Sequence, residues 1–227
     1  MTVTRSCLVV FTKPARPGFV KTRLVGELTA ERAAQLQGAF LEDLLVRMEG
    51  ASFQTRLAWA VDSDEPLPRS RMEAFRQEGR DLGERLYSGL SRTLAEFDSV
   101  AAIGSDHPDL PETVVVEAFE KLGAGKDVVL GPASDGGYYL IGVTRDSLQR
   151  ELFSDVEWST DRVLEQTLER CRSLGARVET LGSLDDVDTP DDLRRLAGRL
   201  ALGSGPSSPN TKSLLSEWGM IPVQGRT

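Results

Sequence analysis

The stretch 100–111, VAAIGSDHPDLP, constrains this chain more than any other. Val100-Ala101-Ala102-Ile103 is an apolar run with the length of a strand buried on both faces. Gly104-Ser105-Asp106 ends it, and Pro108 and Pro111 prevent its continuation. A carboxylate is thereby set at the carboxyl end of an interior strand, where open α/β sheets bind their ligands. Asp106 and Asp109 bracket the turn, and hard cations such as magnesium or manganese take oxygen ligands of this kind. Two roles are open to Asp106 on these residues alone: a ligand, or the cap of a helix starting near Pro111.

Around this stretch, strand-like and helix-like segments alternate. Cys7-Leu8-Val9-Val10-Phe11 has the continuous apolar character of a strand covered on both faces. Residues 29–48 carry helical spacing at Ala33, Leu36, Phe40, Leu44 and Leu45, with Thr29 as cap. Leu57 to Val61 reads as a second strand ending in an acidic turn, Asp62-Ser63-Asp64. A helical stretch is expected over 71–77, then a helix with Leu82, Leu86, Leu90 and Leu94 on one face and Gly83 and Arg85 near its start. Further helices are expected at 112–122, from Ser159-Thr160 to about Leu174, and from Thr189-Pro190 to about Leu202. Strands are expected at 127–132, 138–143 and 177–181. This alternation predicts an α/β fold, a three-layer α/β/α sandwich with a mostly parallel central sheet.

Residues 1–202 are read as one domain. Residues 203–210, GSGPSSPN, have the composition of a flexible linker. The tail to residue 227 bears one apolar cluster: Leu214, Leu215, Trp218, Met220 and Ile221. It could dock on its own domain or join two copies as a homo-oligomer, and both remain open.

The net charge is −8, which argues against a nucleic-acid backbone or an anionic membrane as main partner. Two cysteines and one histidine leave little scope for His/Cys zinc sites or serine–histidine triads. The N-terminal apolar run is too short for a signal sequence or a membrane span. A soluble, cytoplasmic protein with no membrane insertion is expected.

Against that acidic background, 12–24 (TKPARPGFVKTRL) gathers Lys13, Arg16, Lys21 and Arg23 in a proline- and glycine-containing loop after the first strand. Such a loop suits the phosphates of a nucleotide. The Walker spacing is absent. Asp135-Gly136-Gly137 forms a second tight loop, whose glycines permit close backbone approach or positive φ. Turn chemistry alone also accounts for Asp135. Of Tyr138 and Tyr139, strand alternation puts one ring in the core. A basic loop and well-separated acidic turns suit a divalent cation bridging nucleotide phosphates.

FTKPARPGFVKTRL, GSDHPDL, GPASDGGYYLIG and DVDTPDDL, in this order, resemble the nucleotide-diphospho-sugar transferase superfamily with the Rossmann-like GT-A fold. More narrowly, they resemble a bacterial family of glycosyltransferase-like proteins often encoded beside radical-SAM and selenium-related genes. The resemblance runs from about Cys7 to Leu200 and leaves out the tail. It implies that Lys21 and Arg23 contact nucleotide phosphates and that Asp106 and Asp188 hold Mg2+ or Mn2+. It implies that Asp135, Gly136 and Gly137, with Tyr138 beside them, place the sugar or acceptor, with Asp106 and Asp135 as catalytic residues. Two departures stand out. Pro14-Ala15-Arg16-Pro17-Gly18 replaces the glycine-rich first loop of the sugar-nucleotide pyrophosphorylases, and Ser105-Asp106-His107 replaces Asp-x-Asp, with His107 a conceivable third ligand.

The expected function is a metal-dependent transferase using a nucleoside-diphosphate sugar and a small-molecule acceptor. The alternatives are a nucleotidylyltransferase, like the guanylyltransferases of deazaflavin and molybdenum cofactor synthesis, and a non-catalytic nucleotide-binding module.

Overall fold

Continuous apolar runs become interior strands because only there are both faces covered. In the computed structural model, which describes residues 5–221, the runs at Cys7 and Val100 lie in β1 (Ser6–Thr12) and β4 (Ser99–Gly104). These two pair with each other in the middle of a seven-stranded sheet. The other strands are β2 (Gln54–Trp59), β3 (Glu73–Arg76), β5 (Val128–Pro132), β6 (Tyr138–Thr144) and β7 (Val178–Thr180), in the order β3-β2-β1-β4-β6-β5-β7. Only β6 runs against its neighbours. The loop 133–137 is too short for a parallel crossover, so the strand leaving it must return antiparallel. The α/β architecture with a mostly parallel sheet is thus the one the sequence pattern predicts.

Helices are α1 (Ala30–Met48), α2 (Leu82–Leu94), α3 (Glu112–Gly123), α4 (Val163–Ser173), α5 (Pro190–Leu202) and α6 (Pro209–Glu217). The chain divides into two compact units. The first comprises the chain up to Thr12 with Gly50–Gly104 and Glu112–Asp185, and so contains the whole sheet. On one face Leu86, Leu90 and Leu94 of α2 and Cys171 of α4 pack with Cys7, Val9, Val100, Ala102 and Leu130. On the other, Leu122 of α3 closes over Gly142.

Residues 73–76 are a strand, not part of the helix expected over 71–77. Met72 and Phe75 mimic one helical turn, but Phe75 alone is buried while Ala74 and Arg76 on either side are only partly covered, which is the two-residue period of an edge strand. Pairing decides it: β3 lies parallel to β2, and Glu73 meets the buried Arg56 guanidinium at 2.8 Å.

The second unit comprises Lys13–Glu49, Ser105–Pro111 and the chain from Asp186. Its core joins Leu24, Leu36 and Phe40 to Leu193, Leu196 and Leu215. Helix α6, from the tail, packs here on α1 and α5. Asp43 of α1 is 2% exposed and accepts four hydrogen bonds from the start of α6: Asn210 N and Nδ2 at 2.9 and 2.8 Å, Thr211 N and Oγ1 at 2.8 and 2.6 Å. It thereby satisfies N–H groups that a helix start leaves without partners, a task the Ser208 side chain does not perform. Removing a charged acceptor from buried donors costs about 2–3 kcal/mol. Asp43→Ala should therefore lose about that much in denaturant unfolding, and amide exchange at 209–217 should accelerate before the rest of the unit opens. Unchanged exchange there would refute the clamp.

Candidate active site

Lys21 belongs to the second unit and is buried there. Its backbone is in the left-handed region, φ 49°, immediately before a short 3-10 turn at Thr22–Leu24. A non-glycine residue so held costs about 1–3 kcal/mol, and such residues cluster at functional sites. The side chain is 2% exposed, and its ammonium lies 5.4 Å from the centroid of the Phe40 ring. Nζ donates to the Val187 carbonyl at 2.7 Å and to Asp188 Oδ1 at 3.0 Å, and forms an ion pair with Asp106 Oδ1. Three acceptors match its three protons. Burial by itself would lower the Lys21 pKa; Asp106 and Asp188 outweigh it and hold the ammonium above its ordinary value.

This arrangement bears on the two roles open to Asp106. A cap adjoins the first helical residue, and Asp106 stops well short of Glu112, where α3 begins. Its carboxylate goes to Lys21 instead. The turn that carries it is braced along its length. Gln37 Nε2 donates to Ser105 Oγ at 2.7 Å, and Val187 N donates to the Asp106 carbonyl at 3.2 Å. Ser208 Oγ, from the segment before α6, donates to the Pro108 carbonyl at 2.9 Å, and Arg47 reaches the Leu110 carbonyl at 3.2 Å. Asp109 is committed to Arg199, whose Nε and Nη2 both donate to Oδ2, at 2.9 and 2.7 Å. Asp188 sits just before the cap of α5, where Thr189 and Asp192 form a capping box around Pro190.

Lys21, Arg23, Asp106 and Asp188 are therefore one group, Arg23 Nη1 lying 3.6 Å from Asp188 Oδ2. Lys13 and Arg16 are exposed on the loop of the same unit. His107 is 6% exposed, and burial pushes its imidazole pKa down.

The remaining predicted residues belong to the sheet unit. Asp135 Oδ1 accepts from Gly137 N at 2.9 Å, a local turn contact. Gly136 has φ +87°, and any Cβ there would overlap the Asp161 carbonyl. Tyr138 sets its ring edge-on to Trp158, 6.5 Å between centroids, and burial raises its phenol pKa. Its ring packs against the core cluster beneath α2. Gly136→Ala should cost about 2–4 kcal/mol, since strain and overlap add; a chemical-denaturation midpoint equal to the parent's would contradict the loop geometry.

Sequence reasoning missed three things here: the joint hold of Lys21 on two carboxylates, the Arg199 clamp on Asp109, and the bracing by Ser208. Each joins residues about 90 to 170 positions apart, and a local pattern carries no signal for that.

Residues 28–160 match the family described as "Uncharacterized protein conserved in bacteria (DUF2064)". The chain belongs to this family. A protein from Desulfovibrio desulfuricans G20, described provisionally as a nucleotide-diphospho-sugar transferase, is 34% identical over 96% of this chain and 97% of its own, with TM-score 0.87. A cytidylyltransferase from Leptospira borgpetersenii shares the fold at TM-score 0.59 and 11% identity, over 99% of both chains. A CMP:2-keto-3-deoxy-manno-octonic acid synthetase shares it at TM-score 0.56 and 14% identity, over 88% of this chain and all of that one. No curated protein matches the chain. The family member is thus a transferase with the nucleotide-diphospho-sugar transferase fold.

The donor set suits a hard divalent cation. Asp106 and Asp188 converge on one positive centre, and their side chains are 42% and 35% exposed. Magnesium is ordinarily held by one or two carboxylates completed by phosphates and water. Among the described residues no group of three His, Cys, Asp or Glu side chains could form a full protein cage. The pair by itself fits a divalent cation that takes its remaining ligands from outside the protein.

Proposed function

We propose that this transferase is metal-dependent and moves a sugar from a nucleoside-diphosphate donor to a small-molecule acceptor. The observation that carries the reading is the convergence of Asp106 and Asp188 on a single cation, the Lys21 ammonium. Those carboxylates are the proposed holders of Mg2+ or Mn2+, and Lys21 neutralises them in the absence of ligand. Bound there, the metal would offset charge on the departing diphosphate. Arg23 is the proposed phosphate contact, Lys21 would join it once a metal took over the two carboxylates, and Lys13 and Arg16 add charge along the loop. Asp135, Gly136 and Gly137 place the sugar or acceptor, and Asp135 is the proposed base. Tyr138 serves this loop from within, through Trp158.

Residues 1–202 form the proposed transferase domain, with the following segment bracing the turn of Asp106. No helix among the described residues is long and apolar enough to cross a membrane, and Cys7 and Cys171 are free, buried thiols. A cytoplasmic setting is proposed on the thiols.

A basic Lys-Thr-Arg loop after β1 also favours a second reading, nucleotidylyl transfer from a nucleoside triphosphate to a phosphorylated acceptor. Product analysis by mass spectrometry separates the two. The protein is incubated with magnesium or manganese and cell extract, once with pooled nucleotide sugars and once with pooled nucleoside triphosphates. Nucleoside diphosphate released from one sugar donor is the expected result. Pyrophosphate and a new conjugate from one triphosphate would replace it with the second reading. Nucleotide binding without turnover in either pool would reduce the chain to a binding module.

A further inference from the structure

Ser208 breaks a local rule. A serine just before a helix ordinarily spends its hydroxyl on the free N–H groups of that helix. Ser208 is 3% exposed, and its side chain does not cap α6. Asp43 does that from α1, which releases the Ser208 hydroxyl for the turn that carries Asp106. The hydroxyl donates to the Pro108 carbonyl at 2.9 Å and accepts from Arg47 Nη2 at 3.0 Å. Arg47 lies one helical turn after Asp43 on α1. It also donates to the Ser207 carbonyl and, through Nη1, to the Leu110 carbonyl at 3.2 Å. Burial pulls its pKa down, against the pull of Asp43 and Asp109. A hydroxyl and a half-buried guanidinium are thus spent on one turn, and departures of this kind from local preference gather at functional sites.

The hold on Pro108 reaches Asp106 through a stiff piece of backbone. The Pro108 ring fixes its φ, and the residue before a proline, here His107, is biased towards extended conformations. Leu110 N closes the turn on the His107 carbonyl at 3.1 Å. Asp106 needs this placing, because its side chain is 42% exposed and water competes with Lys21 for the carboxylate. Helix α6 has nine residues, too few to be stable alone. Its hold on the turn therefore lasts only while Asp43 and the buried Leu215 keep it docked.

We propose that Ser208 is a positioning residue for Asp106: docked α6 fixes the turn through Ser208 and keeps the Asp106 carboxylate on its cation. That cation is Lys21 in this structure, and its replacement by a divalent metal rests on the transferase reading above. Docked and undocked α6 are the two states, so docking and cation binding favour each other by the same factor.

The test is proton–nitrogen NMR of the Lys21 ammonium in the full chain, assigned by its loss in Lys21→Met. Spectra are taken far below the unfolding midpoint, where a general loss of stability leaves the signal in place. Ser208→Ala should shift the resonance and speed its proton exchange about fivefold or more, the low end of ordinary coupling between sites. Ser208→Thr, which keeps the hydroxyl, should restore the parent signal. Manganese affinity without nucleotide, read by electron paramagnetic resonance, should fall by a similar factor in Ser208→Ala. Saturating manganese should in turn slow amide exchange over 209–217 in the parent. Should Ser208→Ala fail to fold, Asp43→Asn carries the test, since it keeps the volume at position 43, weakens the clamp on α6 and should change the Lys21 signal likewise. An unmoved Lys21 signal, an equal change in Ser208→Thr, or manganese affinity equal to the parent's overturns the proposal. A parent that binds no manganese would sink the metal reading, and the Lys21 signal would then decide the positioning role by itself.

Discussion

Lys21→Met should destabilise the protein by about 2 kcal/mol near neutral pH and make the remaining stability respond to magnesium. Removing one partner of a buried ion pair costs roughly 3–5 kcal/mol, because the remaining charge is left uncompensated. Here Lys21 is 2% exposed, but Asp106 and Asp188 are 42% and 35% exposed, so water relieves part of that charge. In the variant two carboxylates face each other without a cation, which is the setting a divalent ion stabilises. Millimolar magnesium should then raise the unfolding midpoint of the variant more than that of the parent. The pH dependence has a definite sign. The Lys21 pKa is raised above its ordinary value of 10.5, so its contribution is complete below that pH and is lost as pH climbs through the folded-state value. The parent should therefore lose stability above about pH 10.5 that the variant does not have to lose. Equal stability of the two proteins, with no response to magnesium, would remove Lys21 from the centre of the site.

Asp106→Asn should cut turnover about a thousandfold or more, because it removes one of two carboxylates proposed to hold the metal while preserving shape. Its effect on stability should be smaller than that of Lys21→Met. The ammonium keeps Val187 and Asp188, and the turn keeps its braces from Gln37, Arg47, Arg199 and Ser208. Manganese affinity, read by electron paramagnetic resonance in the presence of nucleotide, should fall in parallel. Full turnover in Asp106→Asn with metal present would mean that this aspartate holds no metal.

The contrast between Asp106 and Asp109 shows how far residue type carries an argument. Both flank one turn, and both are oxygen donors by composition. Asp109 is engaged by Arg199 from α5, whereas Asp106 meets Lys21 and shares it with Asp188. The Asp-Gly-Gly loop makes the same point differently. Its glycines permit close backbone approach or positive φ, and Gly136 shows both, with φ +87° and its backbone against the Asp161 carbonyl.

By itself the sequence determined the α/β alternation, the buried strands β1 and β4, the Thr29 cap, the Thr189-Pro190 start of α5, and the motifs that resemble the nucleotide-diphospho-sugar transferases. These depend on neighbours within a few positions: apolar runs, caps, and the backbone limits of proline and glycine. Tertiary structure alone decided that residues 73–76 are an edge strand, since a four-residue segment takes its conformation from the strand beside it. It alone placed α6 on α1, through the Asp43 carboxylate. It alone put Lys21 between Asp106 and Asp188, because an ion pair depends on distance in space, and these partners are far apart along the chain.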